Sequence, residues 1–193
     1  EPGSELGWGF FFARPDPLPL VADLFRYVLY KDAQWDWRTF DLDRDVEKAE
    51  ASPDIRSGDT IDPNLQPFVE RGGKLLMYHG WSDALVPPRG SVNYYNGVLA
   101  RMGGAAKTSD WIRLFMVPGM GHCRGGDGPN TFDMVGALEE WVENGRPPQR
   151  IVASEATNGR VARTRPLCPY PQLAVYKGTG SIDDAGDFTC RVP

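Results

Sequence analysis

The sequence predicts an α/β chain built on parallel strands, and three observations carry that prediction. Two short apolar runs, "KLLMY" at 74–78 and "IRLFMV" at 112–117, have the length and composition of strands buried on both faces. Between them lies a segment with apolar residues at helical period, and a second such segment follows the second run. Strand, helix, strand, helix in that order calls for crossover connections and parallel pairing.

The elements follow in chain order. Residues 1–70 are rich in Trp, Phe, Asp and Pro. Within them "PLPLVADLFRYVLY" (17–30) predicts a helix opened by proline, with Leu20, Leu24, Val28 and Leu29 along one stripe. "KDAQWDWRTFDLDRDVEKAEAS" reads as loop and then a short charged helix. "DPNLQPFVERGGK" reads as a turn, one helical turn and a Gly-Gly break. After the 74–78 strand, Pro87 and Pro88 open a helix whose Val92, Tyr95, Val98, Leu99 and Met102 share a face, and Gly103 and Gly104 stop it. After the 112–117 strand, Asn130 or Thr131 is the expected cap of another helix, with Phe132, Val135, Leu138, Trp141 and Val142 turned inward. Gly145 and Pro147 end that helix, and short extended pieces and turns run from Ile151 to the end.

Composition narrows the function. The chain has 193 residues, 41% of them hydrophobic and 24% charged, which is enough for a domain with a real core. A formal net charge of −5 argues against a nucleic-acid partner, which needs a basic face. No apolar run approaches the ~18 residues of a membrane span, so no membrane partner is expected. The opening "EPGSELGWGFFF" has no basic leader region and reads as a cut inside a larger protein. There is no CxxC pair and there are only two histidines, so a structural zinc is not expected. The cysteines are odd in number: Cys123, Cys168 and Cys190. If the two near the C-terminus pair, Cys123 is a free thiol or has its partner outside the chain.

Each predicted strand delivers one titratable side chain into a turn: Asp83 in "YHGWSDALVPP" and His122 in "GMGHC". In an open α/β sheet, sites form at the C-terminal ends of the strands. A carboxylate that orients a histidine, with the histidine as general base, is the supporting half of a nucleophilic triad. Asp before His, one strand-helix-strand unit apart, fits the last two places of the α/β-hydrolase order. The nucleophile belongs upstream on a GxSxG-type elbow, and Ser4, Ser52, Ser57 and Ser82 have no such context.

"RGGKLLMYHGWSDALVPP", "RLFMVPGMGHCRGGDGPNTFD" and "TRPLCPYPQLAVYKGTGSIDDAGDFTC" resemble the C-terminal part of the tannase and feruloyl esterase family, a family that takes in tannases, fungal feruloyl esterases and a bacterial hydrolase of a terephthalate monoester. The resemblance extends from about Trp35 to the end. It implies a partial α/β-hydrolase fold: the C-terminal strands and helices of the parallel sheet, with the nucleophile half and most of the lid absent. Residues 1–70 would be a lid-to-core return segment, and 71–193 the C-terminal part of the core. It implies a secreted serine esterase acting on aromatic acid esters such as feruloyl or galloyl esters. Asp83 and His122 would be its catalytic acid and base, partnered by a missing N-terminal part of the same protein that carries the serine. The resemblance further implies a Cys168–Cys190 disulfide, and a bond from Cys123 to the missing segment. It implies no cofactor in this chain, with calcium as a possible ligand of the family's lid. The competing readings are a non-catalytic structural fragment or binding module, and an α/β-hydrolase of other specificity.

Other residues carry plainer readings. Asp41, Asp43 and Asp45 are spaced like the start of a calcium loop. Val46 and Ser52 stand where such a loop needs Gly and Glu, so a solvated turn and helix cap is the expectation. The glycines of "GMGHCRGGDG" let the loop bend so that His122 points at the site. His79 reads as a packed, hydrogen-bonded histidine at the strand end, with support of the Asp83–His122 pair as the alternative. Trp81 reads equally as a lining of the substrate entrance or as core.

Overall fold

Pro19 opens a helix in the computed structural model, which describes residues 2–193, but the helix is short. Helix α1 spans Pro19–Asp23 and passes into a π-helical turn, Leu24–Leu29. Leu20 and Leu24 face solvent, against the expected inward stripe, and Ala22 is the buried residue. Beside it the half-buried rings of Phe25, Tyr30 and Trp35 pack on one another. Trp35 stacks on Phe25 at 5.6 Å and on Tyr30 at 5.3 Å, and Phe40 meets Phe25 edge-on at 5.4 Å.

Helix α2, Leu42–Ala51, starts where the Asp41 carboxylate accepts the Arg44 N–H at 2.9 Å. Asp41 is thus the cap that the sequence suggested. Asp45 is not solvated; it is fully buried. Its carboxylate accepts from Arg44 Nε at 2.6 Å and Nη2 at 2.9 Å, from the Asp41 N–H at 2.9 Å and from the Tyr30 hydroxyl. These segments belong to one compact unit, Trp8–Asp62; Pro63–Pro193 with the N-terminal residues up to Gly7 form a second.

The second unit is organised by two parallel strands. β1, Leu75–Gly80, pairs with β2, Ile112–Val117, in a register running from Leu75↔Ile112 to Gly80↔Val117. Ile112, Leu114, Phe115 and Val117 are all fully buried, as a strand covered on both faces must be, but β1 departs from that expectation: its Leu75, Leu76 and Met77 are half-buried and Tyr78 is exposed. Helix α3, Pro88–Arg101, crosses between them and buries Val92, Tyr95 and Val98 against Trp111, Ile112, Leu114 and Met116. Each such aliphatic side chain contributes about 1.5–3 kcal/mol by leaving water.

Helix α4, Met134–Asn144, begins later than expected. Its cap is Asp133, which accepts the Gly136 N–H at 2.8 Å, not Asn130 or Thr131. The amides of Asn130 and Thr131 are already committed to the Ser154 carbonyl, each at 3.1 Å, in an extended conformation. Trp141 is buried, with Met134 and Ala137 partly buried against a second core cluster, whereas Val135 and Val142 are exposed. Gly145 closes the helix in the left-handed conformation, φ 63°, where a Cβ would be strained.

The remainder folds as two antiparallel hairpins. β3, Ile151–Thr157, turns through Asn158 and Gly159 into β4, Arg160–Leu167. Both turn residues have positive φ, as a two-residue hairpin of type I′ requires. β5, Leu173–Tyr176, pairs with β6, Phe188–Arg191. A disulfide joins Cys168, just past β4, to Cys190 in β6. Among the described residues the architecture is therefore mixed α/β with short sheets, one parallel and two antiparallel. Among the described residues, no helix is long and apolar enough to cross a membrane.

Candidate active site

The two strand ends are held unusually close by glycine. Gly80 is the last residue of β1. A Cβ there would lie 2.2 Å from the Met120 carbonyl oxygen and 2.6 Å from that of Gly121. Only a residue without a side chain allows the loops after β1 and β2 to touch. Two backbone bonds then stitch them together, from Trp81 N–H to Val117 O at 2.9 Å and from Ser82 N–H to Met120 O at 3.0 Å.

Asp83 sits at the bottom of the first loop, its side chain 2% exposed. One carboxylate oxygen, Oδ1, accepts the N–H groups of Leu85 at 2.8 Å and Val86 at 2.9 Å. This Asx-type turn stops the strand and leads into the prolines of α3. The other oxygen, Oδ2, is left to face the second loop.

That loop is packed from its own backbone. Gly119, Gly126 and Gly128 approach so closely that a Cβ on Gly126 would fall 1.9 Å from the Gly119 carbonyl, and one on Gly128 2.3 Å from that of Pro118. The Gly121 N–H donates to Gly125 O at 3.0 Å, and the Asp127 N–H to Gly119 O at 2.9 Å. The tight turn presents His122, whose Nδ1 lies 2.8 Å from Asp83 Oδ2. The His122 side chain is 38% exposed and borders a cavity of about 130 Å³, which Asp83, Val86, Met120 and Cys123 also line. Cys123 follows in the left-handed conformation, φ 62°, and is a free, exposed thiol.

The electrostatics favour an ionised Asp83. Burial pushes its carboxyl up, but the Val86 N–H, the His122 imidazole and the Leu85 N–H outweigh burial and hold it below the ordinary carboxylate value. An ionised carboxylate can only accept, so His122 Nδ1 carries the proton between them. That leaves Nε2 as the nitrogen with basic character, the arrangement that general-base catalysis uses.

The structure also brings into this cluster a residue whose first reading in the sequence was packing. His79 Nε2 lies 3.1 Å from Asp83 Oδ2, and its Nδ1 lies 2.8 Å from Ser91 Oγ on α3. The signal was the four-residue spacing from His79 to Asp83, which wraps the turn back onto the strand end. Trp81 packs partly buried against the first core cluster. No cluster of three or more metal-ligating side chains occurs among the described residues; Asp41 caps α2 and Asp45 pairs with Arg44.

Comparison with known proteins bears on this geometry. Residues 19–191 match the sequence model of the family described as tannase and feruloyl esterase. The chain is 40% identical over 200 residues to mono(2-hydroxyethyl) terephthalate hydrolase of Piscinibacter sakaiensis, covering 98% of this chain and 31% of that protein. It is 33% identical over 211 residues to a probable feruloyl esterase B-2 of Aspergillus terreus, covering all of this chain and 40% of the relative. The crystal structure of feruloyl esterase B from Aspergillus oryzae superposes with a TM-score of 0.86 at 30% identity, over 98% of this chain and 40% of that one. Tannin acyl hydrolase from Aspergillus niger shares the fold, with a TM-score of 0.68 at 22% identity over 92% of this chain and 34% of its own. The chain spans about a third to two-fifths of the length of these relatives.

Proposed function

Because the chain belongs to the tannase and feruloyl esterase family, we propose that it supplies the acid and the base of a Ser-His-Asp triad in a carboxylic-ester hydrolase acting on aromatic acid esters. The nucleophilic serine is carried on a segment outside these 193 residues. The observation that supports this most directly is the 2.8 Å bond between His122 Nδ1 and Asp83 Oδ2, made at the ends of two adjacent parallel strands.

In this reading His122 Nε2 removes the serine proton as the serine oxygen attacks the ester carbonyl. The resulting imidazolium is stabilised by the ionised Asp83 and returns the proton to the departing alcohol. A water then repeats the sequence on the acyl-enzyme and releases the acid. Side chains carry every proton transfer, so the reading takes no cofactor from this chain. Cys123, exposed beside His122, forms a disulfide to the serine-bearing segment and ties nucleophile to base. The Cys168–Cys190 disulfide is in keeping with secretion into an oxidising compartment.

The test uses the serine-bearing enzyme and an aryl ester. His122→Ala lowers kcat by a factor on the order of 10³ or more, with an unchanged circular dichroism spectrum. The 193 residues alone show no turnover. Turnover by the isolated chain that survives His122→Ala would overturn the reading.

A further inference from the structure

Asp83 Oδ2 receives two imidazoles, not one. His122 Nδ1 approaches it at 2.8 Å and His79 Nε2 at 3.1 Å, while Oδ1 is taken by the N–H groups of Leu85 and Val86. The carboxylate thus has four donors, which matches its four lone-pair sites. The His79 side chain is 12% exposed and that of Asp83 2%, so solvent supplies little of this.

We infer that His79, set by Ser91, is a positioning residue that holds Asp83 Oδ2 in place for His122. This inference rests on the triad reading above. The two amide bonds to Oδ1 fix one oxygen, but they leave the carboxylate able to swing about that oxygen, because the terminal torsion of an aspartate is broad. His79 closes that freedom from the β1 side. Its own orientation is closed in turn from α3. A nitrogen facing an ionised carboxylate must carry its hydrogen, so His79 is protonated on Nε2. Its Nδ1 is then an acceptor, and the Ser91 hydroxyl, 2.8 Å away, donates to it. The chain Ser91–His79–Asp83–His122 links helix α3 to the loop after β2 through side chains alone. The other titratable groups lining the cavity are Tyr78 and Cys123.

The reaction geometry explains why this matters. His122 must keep its ring in one orientation while it gains and loses a proton twice in each turnover. A partner oxygen that drifts costs rate without costing substrate affinity, since no substrate touches His79 or Ser91 in this scheme.

The experiment is a mutant cycle in the serine-bearing enzyme. His79→Ala lowers kcat about tenfold with KM changed less than twofold. His79→Gln, which keeps an amide N–H for Asp83 and a carbonyl for Ser91, recovers most of that loss. Ser91→Ala, which removes only a hydroxyl, lowers kcat about threefold and so tests the relay even if His79→Ala folds poorly. In a His122→Ala background, His79→Ala and Ser91→Ala have no further effect, because they act only through His122. Equal losses in both backgrounds, a His79→Gln variant no better than His79→Ala, or unchanged kcat in Ser91→Ala would each overturn the inference. Failure of the triad reading shows separately, as full activity in His122→Ala itself.

Discussion

Replacing Gly80 by alanine puts one methyl group between the loops after β1 and β2. Built on the existing backbone, the Cβ lies 2.2 Å from Met120 O, 2.6 Å from Gly121 O and 2.7 Å from Met120 C. The nearest of these contacts is more than an ångström short of ordinary van der Waals distance, and all three partners are backbone. No rotamer change relieves them, so the loops after β1 and β2 must separate by about 1 Å. That displacement strains the bonds from Trp81 N–H to Val117 O and from Ser82 N–H to Met120 O, and it lengthens the 2.8 Å contact between Asp83 and His122. Overpacking of this kind costs about 1–3 kcal/mol. In a protein of this size that lowers Tm by several degrees, at roughly 2–4 °C per kcal/mol. A 1 Å misplacement of catalytic groups costs about 10²-fold in rate. Thermal unfolding followed by circular dichroism, and kcat on an aryl ester in the serine-bearing enzyme, measure the two effects. If Gly80→Ala keeps both the Tm and the kcat of the unsubstituted protein, the argument that glycine sets the distance between the loops is wrong.

Three further outcomes are expected. Cys168→Ser, or reduction, removes a bond between residues 22 apart and lowers stability by about 3 kcal/mol; a Tm insensitive to reductant would refute this. Asp45 is held far below its ordinary value, chiefly by the Arg44 guanidinium against the opposing effect of burial, with Tyr30 and the Asp41 N–H assisting. A depressed folded value means that its contribution is complete above the unfolded value near ~4 and is lost as pH falls below it. Urea midpoints measured from pH 7 down to acid should therefore fall more steeply in the unsubstituted protein than in Asp45→Asn, and parallel curves would count against the Asp45 assignment. The Cys123 thiol, exposed here, reacts with a maleimide without denaturant in the 193-residue chain and is protected in the serine-bearing enzyme. Equal labelling in both would remove the proposed inter-segment disulfide.

Periodicity was a reliable guide where one face of an element meets one core. Val92, Tyr95 and Val98 are buried because α3 lays one face on the core cluster built around β1 and β2, and the 3.6-residue repeat maps directly onto that face. The same rule failed for the 17–30 segment. There a π-helical turn interrupts the ordinary repeat, and the half-buried rings of Phe25, Tyr30 and Trp35 pack on one another. The start of α4 was also placed two to three residues early, because it depends on what Asn130 and Thr131 bond to. Their partner, Ser154, is more than twenty residues away in sequence. The hairpin at Asn158 and Gly159 was available in the Asn-Gly pair itself, which favours two successive positive φ angles.

The site divides along the same line. Asp83 and His122 were visible in the sequence because each is delivered by a local device: a short apolar strand followed by a Gly-rich or Pro-terminated turn, in an order set by chain connectivity. Local devices are written in neighbouring residues, and neighbouring residues are what a sequence displays. The 2.8 Å between those two side chains, the fit of Gly80 against Met120, and the contact of His79 with Ser91 join residues apart in sequence. They depend on how β1, α3 and the loop after β2 converge in space. A histidine in a strand looks the same in sequence whether its ring meets a leucine or a buried carboxylate. Only the packed tertiary structure brings Asp83 Oδ2 within reach of two imidazoles at once, and so gives His79 a partner.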